Sequence, residues 1–447
     1  MTPKPAGSPV RETENETSSR APHAPWAEPA FHSLSSPYYK PSHYRLQAAL
    51  RAYINKNILP YALDWEAAGS APRDAALAWA RSGIAYSDVP SAYRPGWVGN
   101  PAGIPWEELD AFHYLIMVDE GSRIEGGVGT SLEGASVIAA PPIIHWGSEE
   151  QKRKSLPGLF DWSTSFALGV TEPRGGSDVA ALTTTAEKTK TEDGKEWYVV
   201  NGVKKWITGI PWATHMVTAV RTGPPGSGGN GISVLVIPID SAGLSWRRIE
   251  NSGQKAGGAS WVELEDVWVP AENLIGRENE GLKMILTNFN RERFTMAVGM
   301  NRKARTCLAH AFTYACRRET FGKPLIENQI IRHKIATMAR EIEAHWAWLE
   351  QIAYHVQGSE KNWQDPNIAG RIALIKVQGG RLVEMANREA QQIFGGASYQ
   401  RGGVGATVEQ ISRDLRMLVV GGGSEEILED LGVRQETALA TRKGWKL

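Results

Sequence analysis

The sequence predicts a mainly α-helical protein with a central antiparallel β domain, in the order helical domain, β domain, helical bundle. Three observations carry that expectation. Apolar residues fall three and four apart from about 42 to 160, and the apolar period changes to two between about 163 and 275. After Gly281 the helical spacing returns in long segments. The boundaries expected are an N-terminal arm at 1–35, a helical domain at 36–162, a β domain at 163–280 and a C-terminal bundle at 281–447.

Residues 1–35 are rich in Pro, Ser, Glu and Ala without a long apolar stretch, a composition that predicts disorder. The helical domain begins with HYRLQAALRAYINKNILPYALDWEAAG and continues through DAALAWARSGI, EELDAFHYLIMVDEGSRI and SEEQKRKSLPGL. Pro101, Pro105, Pro141 and Pro142 mark breaks, and Ser148 followed by Gln151 predicts a capping box opening a short helix. In the β domain, EWYVVNGVKKWITG predicts two strands joined by a turn at Asn201-Gly202. HMVTAVRT, GISVLVIPI, LSWRRIE and SWVELEDVWVP are further strands, with GPPGSGGNG as a turn. The bundle is expected from four segments, the last being VEQISRDLRMLVV. Trp346 and Trp348, within the second of them, are expected as core or interface residues.

The composition bounds the function. A chain of 447 residues has room for roughly two to four domains with cores of their own. The 49 basic and 49 acidic side chains balance, which gives no electrostatic reason for nucleic acid or an anionic membrane as the main partner. No run approaches the ~18 apolar residues of a membrane-spanning helix. Cys307 and Cys316 are expected on one helix, a poor geometry for a disulfide. There is no CxxC and no HExxH, and Glu341 with His345 reads as an ordinary helix-surface pair rather than a metal site. No metal is expected, and a cofactor would be organic. Glu12, Glu14 and Glu16 argue against a mitochondrial presequence, and Trp445-Lys446-Leu447 matches a peroxisomal address poorly. The expected location is cytoplasmic or peroxisomal rather than mitochondrial.

The strongest local signal is LGVTEPRGGSDVAAL, residues 168–182. It reads as a strand end running into a turn. Thr171 offers a hydroxyl and an amide, while Gly175, Gly176 and Ser177 offer unhindered amides and a hydroxyl suited to a phosphate or a polar ring edge. Read alone, it is equally compatible with a plain polar turn. A second signal is VVGGGSEEIL, residues 419–428, where glycines that permit close approach stand beside two glutamates.

Together with NGVKKWITG, the first segment resembles the flavin-binding signature of the acyl-CoA dehydrogenase family. ELEDVWVPAENLIG, RRETFGKPLIENQ, QIFGGASYQ and RDLRMLVVGGGSEEI resemble four further segments of that family, in the same order. The resemblance covers about 42–435. It implies a three-domain fold, FAD bound between the β domain and the bundle, and a homotetramer or homodimer. By position it implies FAD contacts at Val170, Thr171, Gly176, Ser177, Trp206 and Thr208. Arg318, Phe321, Gln392 and Gly396 match positions that reach the FAD of a neighbouring subunit, and Ser424 and Glu426 match positions near the adenosine half. The implied partners are an acyl-CoA or related thioester and an acceptor of electrons, either another flavoprotein or oxygen.

The implied reaction is α,β-desaturation of an acyl thioester, in which a carboxylate takes the α-proton and the β-hydrogen leaves as hydride to flavin N5. In most members the base is the Glu of a Tyr-Glu-Gly-Thr segment. Gly421-Gly422-Gly423-Ser424 aligns there, so the base slot is Gly422, which has no side chain. Members resembling the isovaleryl and long-chain types place the Glu on the first helix of the bundle. Glu292, in NFNRERFTMAVG, falls on that position and is followed by Arg293, as in those members. The expected set is therefore Glu292 as base, Arg293 supporting it or the substrate, and Gly422 lending its backbone N–H to the thioester carbonyl. A surface salt bridge of Glu292 with Arg291 or Arg293 is the plainer alternative. At the level of function the alternative is an FAD-dependent oxidase or monooxygenase on the same fold, acting on a small molecule that is not a thioester.

Overall fold

A computed structural model of the chain describes residues 24–445. Of the arm expected at 1–35, residues 1–23 lie outside the described residues. From Ala24 onward the expectation of disorder is corrected, because the segment packs: Phe31 is buried, and the Glu28 carboxylate binds Arg51 at 2.6 Å and Arg302 at 3.3 Å. A single buried ring and one ion-paired acid leave no periodic trace in the sequence.

Helix α1 spans Pro41–Asn57, α2 Leu59–Ala68, α3 Arg73–Arg81 and α4 Ala111–Gly121. The starts of α1 and α4 are fastened to each other. Asp110 caps α4 by accepting the N–H groups of Phe112 and His113, and its Oδ1 lies 2.8 Å from His43 Nε2. His43 Nδ1 in turn accepts the Lys40 N–H at 2.8 Å. His43, Asp110 and His113 place their ligand atoms within 4.8 Å of one another, a cluster not singled out in the sequence. Their polar atoms are engaged in these two interlocked caps, which accounts for the cluster as a clamp between helices. Four short helices complete the domain: α5 (Val128–Glu133), α6 (Ser136–Ala139), α7 (Pro141–Trp146) and α8 (Glu149–Ser155). The last opens on the expected capping box of Ser148 and Gln151.

The β domain contains β1 (Phe166–Gly169), β2 (Thr185–Lys190), β3 (Glu196–Ile207), β4 (His215–Arg221), β5 (Ile232–Pro238), β6 (Leu244–Arg248), β7 (Ser260–Pro270) and β8 (Leu274–Ile275). The order in the sheet is β6-β7-β3-β2-β4-β5-β8. The sheet is mostly antiparallel, but β1 pairs with β4 in parallel. The predicted turn at Asn201-Gly202 does not form. Strand β3 runs straight through it, and the pair forms a bulge against β7, with the register shifting between Val200 and Gly202. The Asn201 carboxamide bonds the Asp266 N–H at 2.8 Å, and a Cβ on Gly202 would meet Thr184 Oγ1 at 2.5 Å. Asn-Gly is therefore required by a side-chain cap and a close backbone approach, not by a chain reversal. The hairpin that does reverse the chain lies between β2 and β3, where Gly194 N–H bonds Thr191 O at 2.9 Å.

Helix α9 spans Gly281–Arg317 and is ~55 Å long at 1.5 Å per residue. A small hairpin follows, β9 (Glu319–Thr320) and β10 (Lys323–Pro324). The bundle is completed by α10 (Gln329–Gly358), α11 (Ala369–Phe394), α12 (Ala406–Val420) and α13 (Glu425–Arg442). The break between α12 and α13 falls on the glycine trio. Both cysteines lie on α9 and are unpaired, Cys307 buried and Cys316 exposed. Trp346 is buried in the core between the N-terminal domain and the bundle, with Trp348 packed at its margin. The expected surface pair of Glu341 and His345 is corrected: His345 is fully buried, and its Nε2 lies 3.0 Å from Ile375 O. Burial pushes that imidazole down to about 4, so it is a neutral core group.

Candidate active site

The three residues expected to carry the chemistry come together. Glu292 and Arg293 lie in the fourth turn of α9, and Gly422 lies in the turn between α12 and α13. Arg293 Nε donates to Gly422 O at 2.9 Å. Burial of Glu292 pushes its carboxyl up to about 8, against the opposing pull of Arg293 and Arg291. The expected alternative, an arginine salt bridge that would fix this carboxylate at the surface, does not form among the described residues. Arg291 pairs instead with Asp88 and stacks over Tyr114 at 4.2 Å, while Arg293 is committed to Gly422. Among the described residues, the one hydrogen bond to the Glu292 side chain comes from Asn288, one helical turn earlier.

Gly422 has φ +67, a conformation that disfavours any residue with a Cβ. An added Cβ would lie 3.0 Å from Met296 Sδ and 3.6 Å from Arg293 Cγ, so a side chain in this slot would point at the Arg293 side of α9. The turn is held by two cations. Besides Arg293, Lys376 on α11 donates to Gly423 O at 2.8 Å and to Val419 O. Two cations at the C-terminal end of α12 also oppose its negative dipole end. Burial pulls the Lys376 ammonium down to about 8. No sequence signal marked this lysine, which reads as one polar position on an amphipathic helix.

The 168–182 segment is built around Glu172. Its carboxylate accepts the N–H and hydroxyl of both Thr183 and Thr184 and binds Lys204 Nζ at 2.8 Å. Burial opposes ionisation, but Lys204 and the hydroxyls prevail and hold the carboxyl down to about 2. The same loop is tied to β3 by Lys205 N–H donating to Thr171 O at 2.9 Å. Thr171 is thereby brought beside Lys205, the residue before Trp206. Val170 is buried and Thr171 and Thr208 are partly exposed, whereas Gly176, Ser177 and Trp206 open to solvent. Trp206 stands at φ +64 and is 50 % exposed, with the Lys205 ammonium 4.8 Å from its ring centroid. Toward α9, β1 abuts α6 through Phe166 N–H donating to Ser136 Oγ at 2.9 Å, and α6 meets α9 through Asn288.

The remaining expected residues lie elsewhere. Arg318 and Phe321 sit at the far end of α9, roughly 39 Å along its axis from Glu292 at 1.5 Å per residue. Phe321, at φ +52 on the β9–β10 hairpin, is fully exposed. Gln392 and Gly396 are exposed at the end of α11. One chain does not bring this group to Glu292. Ser424 and Glu426 flank the α12–α13 turn. Glu426 is exposed in the first turn of α13, where its own N–H and the Ser424 hydroxyl keep its carboxyl below the usual range. Glu425 instead bonds Arg381 at 3.1 Å.

A half-buried carboxyl raised to about 8, next to the arginine that holds a glycine turn, and a polar loop beside a half-exposed tryptophan fit a flavin-type oxidoreductase site. The chain matches the N-terminal domain of acyl-CoA dehydrogenase over residues 40–162, the middle domain over 167–267 and the C-terminal domain over 279–436. It is 40 % identical over 431 residues to the acyl-CoA dehydrogenase apdG of Emericella nidulans, covering 95 % of this chain and 97 % of that one. It is 42 % identical over 421 residues to the acyl-CoA dehydrogenase AFT10-1 of Alternaria alternata, covering 92 % and 95 %. A probable acyl-CoA dehydrogenase from Mycobacterium abscessus has a similar structure, with TM-score 0.79 and 32 % identity over 89 % of this chain and 100 % of that one. The protein belongs to the acyl-CoA dehydrogenase family and is an FAD oxidoreductase. The residues present fit that cofactor: Trp206 offers a half-exposed ring, the loop beside it offers free amides and hydroxyls, and Cβ atoms at Gly176 and Gly396 would meet nothing within 4 Å. Among the described residues no helix is long and apolar enough to cross a membrane.

Proposed function

We propose that the protein desaturates an acyl thioester, CoA-bound or carrier-bound, between its α and β carbons, with Glu292 taking the α-proton. The observation that carries this reading is the Glu292 carboxyl, half-buried, unpaired with either neighbouring arginine, and next in sequence to Arg293, which holds the Gly422 turn. A carboxyl raised to about 8 is a far stronger base once ionised than one near 4.5. Arg293 pulls the carboxyl down without outweighing its burial, and its Nε donates to Gly422 O rather than to Glu292. Among the described residues the Gly422 N–H has no acceptor, so it is available to the thioester carbonyl, where negative charge develops as the proton leaves. Bound FAD supplies the acceptor for the β-hydrogen, which departs as hydride.

Val170, Thr171, Gly176, Ser177, Trp206 and Thr208 would hold the flavin from within the chain, with Ser424 and Glu426 toward the adenosine half. Arg318, Phe321, Gln392 and Gly396 would reach the FAD of a neighbouring copy. Their separation from Glu292 along α9 and the full exposure of Phe321 favour that assignment. Reducing equivalents then pass to an electron-accepting flavoprotein or to oxygen.

Anaerobic titration with a panel of acyl-CoA and acyl-carrier thioesters tests the reading. The flavin absorbance is expected to bleach with one class of chain. The Glu292→Gln variant is expected to retain FAD and to bleach about a hundred- to ten-thousandfold more slowly, since a positioned general base is worth ~10²–10⁴. Bleaching at the wild-type rate in that variant would remove Glu292 from the role.

A further inference from the structure

We infer that Asn288 is the positioning residue of the base: its side-chain amide holds the Glu292 carboxylate in place and ties it across the interface to the N-terminal domain. This rests on the reading of Glu292 given above. Asn288 Nδ2 donates to Ile138 O at 3.1 Å and also to Glu292 Oε1. Both partners are acceptors, so the amide orientation is fixed: turning it over would set its carbonyl oxygen against two other oxygens. One NH₂ group thus spends both hydrogens, one on a carbonyl of α6 and one on the carboxylate. Ile138 lies in the four-residue helix α6, where carbonyls at the C-terminal end lack an intrahelical donor, so its acceptor is free for this use.

The consequence is specific to proton transfer. A donor on the carboxylate stabilises its ionised form and fixes one oxygen, leaving the other to face substrate. Asn288 is neutral, so it orients the base without quenching it as a cation would. The charges acting on Glu292 are Arg293 and Arg291. Asp88, His145 and Tyr114 cluster about Arg291, and Lys376 lies near Arg293. None of these hydrogen-bonds the Glu292 carboxyl among the described residues, so Asn288 alone supplies its donor.

The test is the pH profile of kcat/KM for the FAD-loaded enzyme, measured for wild type, Asn288→Ala, Asn288→Asp and Glu292→Gln. In Asn288→Ala the acid limb is expected to move to higher pH by roughly one unit, the scale of one hydrogen bond to an ionised group, with about a tenfold loss of kcat/KM on that limb. Asn288→Asp keeps the shape, removes the donor and adds a like charge, so the limb is expected to move further still. KM on the alkaline plateau is expected to hold. A limb unmoved in both variants, even with a lowered melting temperature, overturns the inference and leaves Asn288 a structural tie to Ile138. Wild-type turnover in Glu292→Gln would instead overturn the assignment of the base itself, so the two failures are distinct.

Discussion

At the scale of the residue, Glu292 trades stability for basicity. Its carboxyl ionises near 4.5 in an exposed setting and at about 8 in the fold. Between those values the folded chain holds a proton that the unfolded chain has released, so stability declines as pH rises through that window. Glu292→Gln has nothing to ionise and escapes the decline. The variant is expected to melt with wild type at pH 4 and above it, by roughly a few degrees, at pH 9, read from thermal unfolding at the two values. Which of these residues were legible in the sequence follows from the same chemistry. Glu292, Arg293 and Gly422 could be found because an empty slot and a filled one coincide in ordered motifs. Asn288 and Lys376 could not. Each works through a carbonyl contributed by a distant segment, Ile138 for one and Val419 and Gly423 for the other, and backbone carbonyls carry no residue signature.

At the scale of the element, the proposed role of the α12–α13 turn is to hold a single N–H, that of Gly422. Its carbonyls are taken up by Arg293 and Lys376, which fixes the adjoining peptide planes. Gly422→Ala would force a Cβ into φ +67 and against Met296. The expected result is about 1–2 kcal/mol of lost stability and a flavin reduction rate lowered roughly tenfold with FAD still bound, checked by chemical denaturation and stopped-flow absorbance. Unchanged reduction would mean that this N–H does not meet the substrate. Elements were also where sequence reading failed most plainly. Asn201-Gly202 carries the composition of a hairpin turn, yet it is a bulge, because a glycine required by close approach to Thr184 looks the same in sequence as one required by a reversal. The parallel pairing of β1 with β4 is a long-range contact that alternation within either strand cannot reveal.

At the scale of the whole molecule, the order of domains was legible from a change of period alone, since burial on one helix face and on one sheet face leave different spacings. Assembly was not, because a surface waiting for another copy looks like any exposed segment. The β9–β10 hairpin is where the proposed assembly makes its sharpest demand. Phe321→Ala is expected to leave the melting of the FAD-free chain unchanged and to weaken FAD retention roughly tenfold, the scale of one aromatic anchor at an interface. Native mass measurement is expected to find a homotetramer or homodimer of the 49.0 kDa chain in the wild type. A wild-type monomer that holds FAD, or a variant that holds it as tightly as wild type, would sink the neighbouring-copy assignment.

Helix α9 belongs to no single domain. Met284 and Ile285 near its start lie in the core shared by the N-terminal helices and the sheet. Arg302, halfway along, is ion-paired to Asp119 of α4, and Leu308 and Ala311 are packed within the bundle. A hybrid enzyme joined at the apparent boundary near residue 280 would take α9 whole from one parent and set its first two stretches against the helices and sheet of the other. Exchange between relatives is therefore expected to succeed where a junction keeps α9 together with the helices and strands it grips, and recombination should spare this helix as one heritable block.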